Sequence, residues 1–420
     1  MLVFKFGGAS VNSVERIKNV STILKQYPGQ KIVVVISAMG KTTNALEKVV
    51  DAFYNSKNNE ALQLFEQVKQ QHLTTVNYLL VTNALACEQQ LKDFFTEIEW
   101  LLHDKPVRDY DYYYDQVVCI GELLSTAIIS HYLNEAGIGN KWIDVRDIFR
   151  TDDNFREATI DWNETNQKVN DMIIPLFANN NIVLTQGFIG STDENESTTL
   201  GREGSDYSAS VFASLLNADS LTIWKDVECV MNADPKTFPD AQAMHELSYT
   251  EVIEMAYYGA QVIHPKTIKP LQNKNIPLYV KCFLDPALPG TVISNHSNKN
   301  LPPVIVLKEK QVMIELSTKD FSFVGEHHTG TLYHLLEKYK FKPNLTQNGA
   351  ISFIAVLDNW PDKIEKLALD ASAIFDVQVT RDLSLLTIRH YNREVFDKLT
   401  EGKKILLQQR TPGTIQSLIQ

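Results

Sequence analysis

The sequence predicts an α/β protein in two parts, a layered α/β sandwich up to residue 297 and smaller βαββαβ modules beyond it. Three observations carry this. Residues 32–36 are a continuous β-branched run, the pattern of a parallel strand buried on both faces. Strand, glycine- or hydroxyl-rich loop and helix recur in that order through the first two thirds of the chain. A polar stretch at 295–303, ending Pro302-Pro303, reads as a linker, after which the strand spacing shortens. With 420 residues, two or three domains are expected.

In order, residues 2–6 are β-like and stop at Gly7-Gly8. Residues 10–26 have helical spacing at Val14, Ile17, Val20 and Leu24. The strand at 32–36 leads into Ser37-Ala38-Met39-Gly40-Lys41-Thr42-Thr43-Asn44, and 46–53 read as helix. Residues 60–103 are periodic with almost no Gly or Pro, so two long helices are predicted. An apolar strand at 117–120 opens into a helix at Gly121-Glu122, with Gly137 as its stop. Further strands are predicted at 141–145, 182–189, 221–224 and 278–283, a loop at 191–197 and a helix at 249–260. Beyond the linker, strands at 304–307, 312–317, 340–346, 351–357, 374–380, 384–389 and 403–408 alternate with helices near 330–339, 361–370 and 392–400.

Bulk properties exclude some functions. A net charge of -11 disfavours general nucleic-acid or membrane-surface binding. The longest apolar run, 32–38, is far short of a membrane span, and the N-terminus lacks the features of a signal peptide. The four cysteines lie far apart and form no metal-type pair, so buried thiols and a cytoplasmic location are expected.

The chemistry centres on Thr198-Thr199-Leu200-Gly201-Arg202-Glu203-Gly204-Ser205-Asp206-Tyr207. Tyr207, Val211, Phe212, Leu215 and Leu216 share a helical face, so Ser205 or Asp206 reads as an N-cap. A helix N-terminus favours an anion, and the Arg202 fork suits a carboxylate or phosphate. Asp206 adds a carboxylate that can orient a lysine or help hold a metal ion. Lys5-Phe6-Gly7-Gly8 offers a phosphate nest and a mobile cation, though the spacing is not that of a P-loop. Ser37 and Thr43 lie in a hydroxyl-rich loop that serves either a substrate carboxylate or helix capping. Glu122 serves either as a clamp for a substrate ammonium or as a dipole-stabilised carboxylate. Trp224-Lys225-Asp226 and Asn232-Ala233-Asp234-Pro235-Lys236 border a nucleotide or form ordinary loops. In Gly259-Ala260-Gln261-Val262-Ile263-His264-Pro265, a further candidate phosphate loop, His264 reads as structural. Together these groups fit phosphoryl transfer to a small zwitterionic acid better than hydride transfer, since no Rossmann fingerprint follows the first strand.

These motifs resemble those of the aspartate kinase family in the amino acid kinase superfamily. The resemblance runs through Lys5-Phe6-Gly7-Gly8-Ala9-Ser10, Gly121-Glu122, Thr185-Gln186-Gly187-Phe188-Ile189-Gly190, the stretch 198–207, Asp226-Val227, Asp234-Pro235, Gly259-Ala260 and His264-Pro265, and covers nearly the whole chain. It implies a three-layer αβα sandwich of the amino acid kinase fold over 1–297, a linker and first regulatory strand over 298–311, and tandem ferredoxin-like ACT modules over 312–420, the second ending early at Gln420. It implies ATP- and Mg²⁺-dependent phosphorylation of the side-chain carboxylate of L-aspartate to 4-phospho-L-aspartate, the step leading to lysine, threonine, methionine and diaminopimelate. Lys5 would stabilise the transferring phosphoryl group and Asp206 would orient Lys5 near Mg²⁺, with no resident metal site implied. Arg202 would hold the α-carboxylate of aspartate and Glu122 its ammonium, with Ser37, Thr43, Phe188, Gly204 and Ser205 lining the pocket. ATP would meet Gly7, Gly8, Lys225, Asp226, Met231, Lys236 and Gln261. The chain departs from the family pattern at four of these, with Lys225 for Thr, Met231 for Tyr, Lys236 for Arg and Gln261 for Lys; Lys225 and Lys266 are the candidates to replace the last charge. An amino-acid effector would sit around Phe323, His328, Gly330 and Asn344, and ACT pairing implies a homodimer or larger. The alternative is a regulatory paralogue that senses amino acids without catalysis.

Overall fold

The structure is a computed structural model that describes residues 1–296, 300–320 and 322–420, Glu326 through its backbone alone. Residues 297–299, where the domain boundary is expected, and Phe321 lie outside the described residues. Two compact units form. The first holds Met1–Val230, Met244–Ile253 and the chain from Val262 to the linker; the second holds Met231–Ala243, Glu254–Gln261 and the chain after the linker. The chain passes between the two units at several points. Specific bonds draw the two inserted stretches into the second unit. Asn232 accepts the Ile305 N–H at 2.7 Å and donates to the Pro303 carbonyl at 2.8 Å, and Arg389 pairs with Glu254 at 2.8 Å.

The first unit begins with β1 (Leu2–Phe6), α1 (Val14–Leu24) and β2 (Ile32–Ile36). Helices α2 (Thr42–Tyr54), α3 (Asn58–Leu79), α4 (Ala84–His103), α5 (Tyr110–Val118) and α6 (Ile120–Glu135) follow. Next come β3 (Asn140–Trp142), α7 (Trp162–Lys168), β4 (Ile182–Gln186), β5 (Ile189–Ser191), β6 (Ser197–Thr199), α8 (Gly204–Leu215) and β7 (Ser220–Lys225). Short strands β8 (Val230–Met231) and β9 (Ala243–Met244) flank the first crossing. Then come β10 (Glu246–Ser248), α9 (Tyr249–Tyr258), α10 (Pro265–Lys274), β11 (Leu278–Cys282) and β12 (Thr291–Ser294).

One sheet runs in the order β10-β12-β11-β7-β1-β2-β4-β3 and is parallel except between β11 and β12. Alternation along β1 divides its side chains between the faces. Phe4 and Phe6 pack on Trp224 from one face, where Phe283 also meets Phe6. Lys5 points the other way, to α8. Helix α8 covers β1, β2 and β7, and is itself backed by α10. Helix α6 lies against β2, β3 and β4.

Three local expectations change. Residues 117–120 are helical, because α5 and α6 run almost end to end. This Tyr110–Glu135 stretch is apolar and long enough to cross a membrane, yet most of it is buried inside the protein, as befits a core helix hydrophobic all round. The predicted strand at 182–189 breaks at Gly187-Phe188, where Phe188 takes a positive φ of 74°. The predicted loop at 191–197 closes a hairpin of β5 and β6. Helices α7 and α10 were not anticipated; in α10, Pro265 sits in the first turn, where its missing N–H costs nothing.

The second unit contains β13 (Val304–Thr318), α11 (Glu326–Lys338), β14 (Leu345–Asn348), β15 (Ser352–Asp358), α12 (Pro361–Ser372), β16 (Phe375–Arg389), α13 (Arg393–Thr400), β17 (Ile405–Arg410) and β18 (Thr414–Ile419). They build one antiparallel sheet in the order β14-β15-β13-β16-β18-β17. The paired short strands predicted at 304–307 and 312–317, and at 374–380 and 384–389, are the halves of β13 and β16. Their polar joints are bulges, with register shifts between Lys308 and Met313 and positive φ at Lys310 and Asp382, so the strands bend without ending. Helices α11 and α12 bury Leu332, Leu336, Ile364 and Leu367 against Ile314, Phe353 and Phe375. Helix α13 packs on Ile388 and Ile415. The strand predicted at 340–346 starts only at Leu345, because Phe341 turns into the core, and β18 was not foreseen.

A Cβ on Gly187 would come within 2.7 Å of Ser205 Cα and Cβ, so this residue sets how closely β4 approaches the start of α8. Gly187→Ala is expected to destabilise the protein by about 1–3 kcal/mol, read as a lower denaturant midpoint at unchanged m-value.

Candidate active site

The carboxyl ends of β1, β2, β4 and β7 meet at one edge of the first sheet, where open α/β sheets bind ligands. The loops there press closely together. A Cβ on Gly8 would lie 2.6 Å from the Ala38 carbonyl oxygen, and the Gly40 N–H donates to the Gly8 carbonyl at 3.0 Å. Only glycine permits that contact between the β1 and β2 loops.

Lys5 and Asp206 form the centre. Lys5 Nζ lies 2.7 Å from Asp206 Oδ1, with both side chains nearly buried. Lys225, the last residue of β7, places Nζ 4.0 Å from Asp206 Oδ2 and donates to the Val262 carbonyl at 2.8 Å. Burial alone would raise the Asp206 carboxyl; the ammonium groups of Lys5 and Lys225 outweigh it and hold the group below the usual carboxylate range. Asp206 is therefore ionised at neutral pH, between two cations.

The N-cap expected at Ser205 or Asp206 is instead Glu203, in the left-handed conformation at φ 54°. The helix thus starts earlier, and Asp206 sits in its first turn, aimed at Lys5. Gly201 (φ 74°) lets the preceding loop pass 3.2 Å, measured from a Cβ built on it, from the Arg156 carbonyl. The Phe188 N–H donates to Ser208 Oγ at 2.9 Å, the Leu200 N–H donates to the Phe188 carbonyl at 2.8 Å, and Gly204 lies against the Phe188 ring. Two non-glycine residues, Phe188 and Glu203, are thus held at positive φ beside the site, strain of the kind that collects at functional loops. Arg202 is exposed, with no ion pair among the described residues, so its guanidinium is available to an anion. Ser205 is buried beside it.

Glu122 Oε2 accepts the Ala38 N–H at 2.9 Å. Burial pushes its carboxyl up to about 8, against the lowering effects of that hydrogen bond and of Lys5. An unpaired acid of this kind would ionise on meeting an ammonium group. Gly121 packs against Thr42 and Leu46, fixing α6 on α2, whose first turn carries Thr43 half-buried. The Ser37 carbonyl accepts a hydrogen bond from Ser125 at 2.8 Å.

Asp115 escaped the sequence reading. It is fully buried and accepts from the Arg156 N–H at 2.9 Å, the Thr199 N–H at 2.7 Å and Thr199 Oγ1 at 2.7 Å. Burial raises its carboxyl to about 6 despite these donors. It ties α5 to the strand that delivers Leu200-Gly201-Arg202. Its spacing of seven from Glu122 was a usable signal, two helical turns on one face, hidden by reading 117–120 as strand.

The remaining candidates fall as follows. Lys266 donates to the Leu200 carbonyl at 3.1 Å and lies over the Tyr207 ring at 4.6 Å, so it braces the loop. His264 caps α10, accepting the Lys266 N–H at 3.2 Å, as its structural reading implied. Asp226 is exposed just past β7. Met231, Lys236 and Gln261 belong to the second unit, where Met231 is half-buried and the other two are exposed. The four effector candidates do not gather within the chain. Phe323 is exposed and Val324 bonds the Ala350 carbonyl, while His328 meets the Phe375 ring at 5.8 Å and Gly330 faces open space, all at the Thr318 end of β13. Asn344 lies at the Gln311 end, its amide bonded to Gln311, Asp358 and Lys308. Six strand residues separate the two ends, roughly 20 Å.

The pH dependence of Glu122 has a definite sign. Its folded value lies above the unfolded one, so its contribution to stability is present below about 4.5 and is lost as pH rises to about 8. Glu122→Gln removes that loss. The stability of the variant relative to the parent should climb by on the order of a few kcal/mol between these limits and then level off, as followed by denaturant melts across the range.

Comparison with known proteins places this geometry in a family. Residues 1–282 match the amino acid kinase family. The chain is 32% identical over 392 residues to aspartokinase 2, chloroplastic, of Arabidopsis thaliana, covering 87% of this chain and 71% of that protein. It superposes on the structure of Escherichia coli aspartokinase III in complex with aspartate and ADP (R-state) with a TM-score of 0.83 at 25% identity, covering 100% of this chain and 96% of that one. The same enzyme in complex with lysine and aspartate (T-state) gives the same TM-score and identity, with 95% of that chain covered. This chain belongs to the amino acid kinase family, within its aspartokinase branch.

Proposed function

We propose that this chain transfers the terminal phosphoryl group of ATP to the side-chain carboxylate of L-aspartate, giving 4-phospho-L-aspartate and ADP. The observation that carries the reading is the buried Lys5–Asp206 pair at the carboxyl ends of the strands, with the buried Glu122 carboxyl close enough to Lys5 to feel its charge. The aspartate and ADP bound to the E. coli relative support the same substrates.

A carboxylate is already a nucleophile at neutral pH, so the reaction needs alignment and charge neutralisation, and no general base. One oxygen of the substrate carboxylate forms a bond to the γ-phosphorus as the bond to the β-phosphate oxygen breaks, and ADP leaves with that electron pair. In this reading Lys5 neutralises charge on the transferring group, with the Gly7 and Gly8 turn around it. Asp206 holds Lys5 in place. Arg202 takes the α-carboxylate and Glu122 the ammonium, while Ser37, Thr43, Phe188, Gly204 and Ser205 line the substrate site. Lys225 and Asp226 serve the nucleotide.

Among the described residues no cluster of three or more His, Cys, Asp or Glu stands ready to hold a cation, and both Asp206 oxygens face lysines. Magnesium therefore enters this reading as part of the substrate, chelated by the nucleotide phosphates. The second unit is assigned the regulatory role, with an amino acid as effector and pairing between copies of the chain; the lysine bound to the E. coli relative favours this.

The direct test is aspartate-dependent hydroxamate formation from Mg²⁺-ATP, with ADP release measured alongside. Hydroxamate and ADP in equal amounts are expected; ATP turnover indifferent to aspartate would refute the reading. Lys5→Ala should lower kcat by roughly 100- to 1000-fold with little change in aspartate KM. Arg202→Ala should mainly raise aspartate KM, by about 10- to 100-fold, from loss of a charge-assisted hydrogen-bond pair.

A further inference from the structure

Asp206 is one buried carboxylate shared by two lysines from neighbouring strands. Lys5 takes Oδ1 at 2.7 Å. Lys225 stays 4.0 Å from Oδ2, and its short hydrogen bond, 2.8 Å, goes to the neutral Val262 carbonyl. The cluster of these three side chains therefore carries one uncompensated positive charge. Register fixes where that charge lies. Strands β1 and β7 pair in parallel with Phe6 opposite Trp224, so Lys225 stands one step further, level with the Gly7 turn. Its side chain is 29% exposed, against 11% for Lys5, so Lys225 is the member of the pair with access to solvent.

We propose that Lys225 is a second catalytic cation, which exchanges the Val262 carbonyl for an oxygen of the terminal phosphate of ATP and shares with Lys5 the charge on the transferring group. This rests on the phosphoryl-transfer reading above. The exchange is favourable because a phosphate oxygen is a charged acceptor and a peptide carbonyl is not. Asp206 serves both cations, since its ionised form holds each ammonium near the phosphate without neutralising both. Lys266, whose Nζ braces the Leu200 carbonyl, has no such contact with Asp206.

The test compares the full chain with Lys225→Met and Lys225→Arg in three measurements: hydroxamate kinetics, calorimetric binding of ATP and ADP without aspartate, and thermal melting. Lys225→Met should lower kcat by about 10- to 100-fold and weaken ATP binding severalfold. ADP affinity and aspartate KM should change by less than about threefold, because neither ligand carries the terminal phosphate, and Lys225→Arg should recover most of the loss. Turnover in Lys225→Met within about threefold of the parent would overturn the proposal. So would a parallel loss of ATP and ADP affinity, the mark of a merely structural tether to Val262. If the parent forms no aspartate-dependent hydroxamate, the function assigned above fails instead. The ATP-against-ADP comparison then still decides whether Lys225 meets the terminal phosphate.

Discussion

The first unit depends on burying an ion pair where strand ends meet a helix start. An isolated buried charge costs several kcal/mol, so Lys5 and Asp206 are stable there only together. That requirement constrains much else. Strand β1 must lie beside β7 so that Lys5 and Lys225 approach the same carboxylate. Helix α8 must start at Glu203, early enough for Asp206 to fall in the first turn, where the helix dipole also favours a negative charge. The aromatic packing of Phe4, Phe6 and Trp224 on the opposite face keeps those strands in register while their other face carries charge.

Close approach of backbones completes the arrangement. Gly8 against Ala38, Gly187 against Ser205 and Gly204 against Phe188 are contacts that any Cβ would obstruct. They bring the loops after β1, β2 and β4 close to one another and to the start of α8, which carries Asp206 to Lys5. Asp115 contributes from behind, anchoring β6 to α5 so that the loop bearing Arg202 has a fixed root. The Lys5–Asp206 pair thus rests on a strand and a helix, as suits the proposed reaction, whose nucleophile needs no activation.

The second unit follows a different logic. Its two long strands, β13 and β16, pass through both modules and make them one sheet. The bulges at Lys308–Met313 and the positive φ at Asp382 let each strand change direction while hydrogen bonding continues. The inserted stretches 231–243 and 254–261 join this unit through Asn232 and Glu254, so segments carrying Met231, Lys236 and Gln261 pack with residues far along the chain.

Much of this was legible in the sequence. Periodicity and β-branched runs located β1, β2, β3, β4, β7 and β11 of the first sheet, though not β10 and β12, and also the long helices α3 and α4 and the change of architecture after the linker, because a buried strand or an amphipathic helix imprints its burial on its own residues. The loops of the candidate site were legible too, since Gly-Gly after a strand permits a close backbone approach, as at Gly8 against Ala38, and Gly-Arg-Glu-Gly before a helix permits the positive φ found at Gly201. Only the tertiary structure decided the rest. It chose Lys225 over Lys266 as the partner of Asp206, brought Asp115 under Thr199, separated Asn344 from Phe323, and joined short predicted strands into β13 and β16. Each of these depends on distances between residues remote in the chain, and local pattern reports what a residue is and how its neighbours alternate, while contact between distant segments is set by strand register and packing.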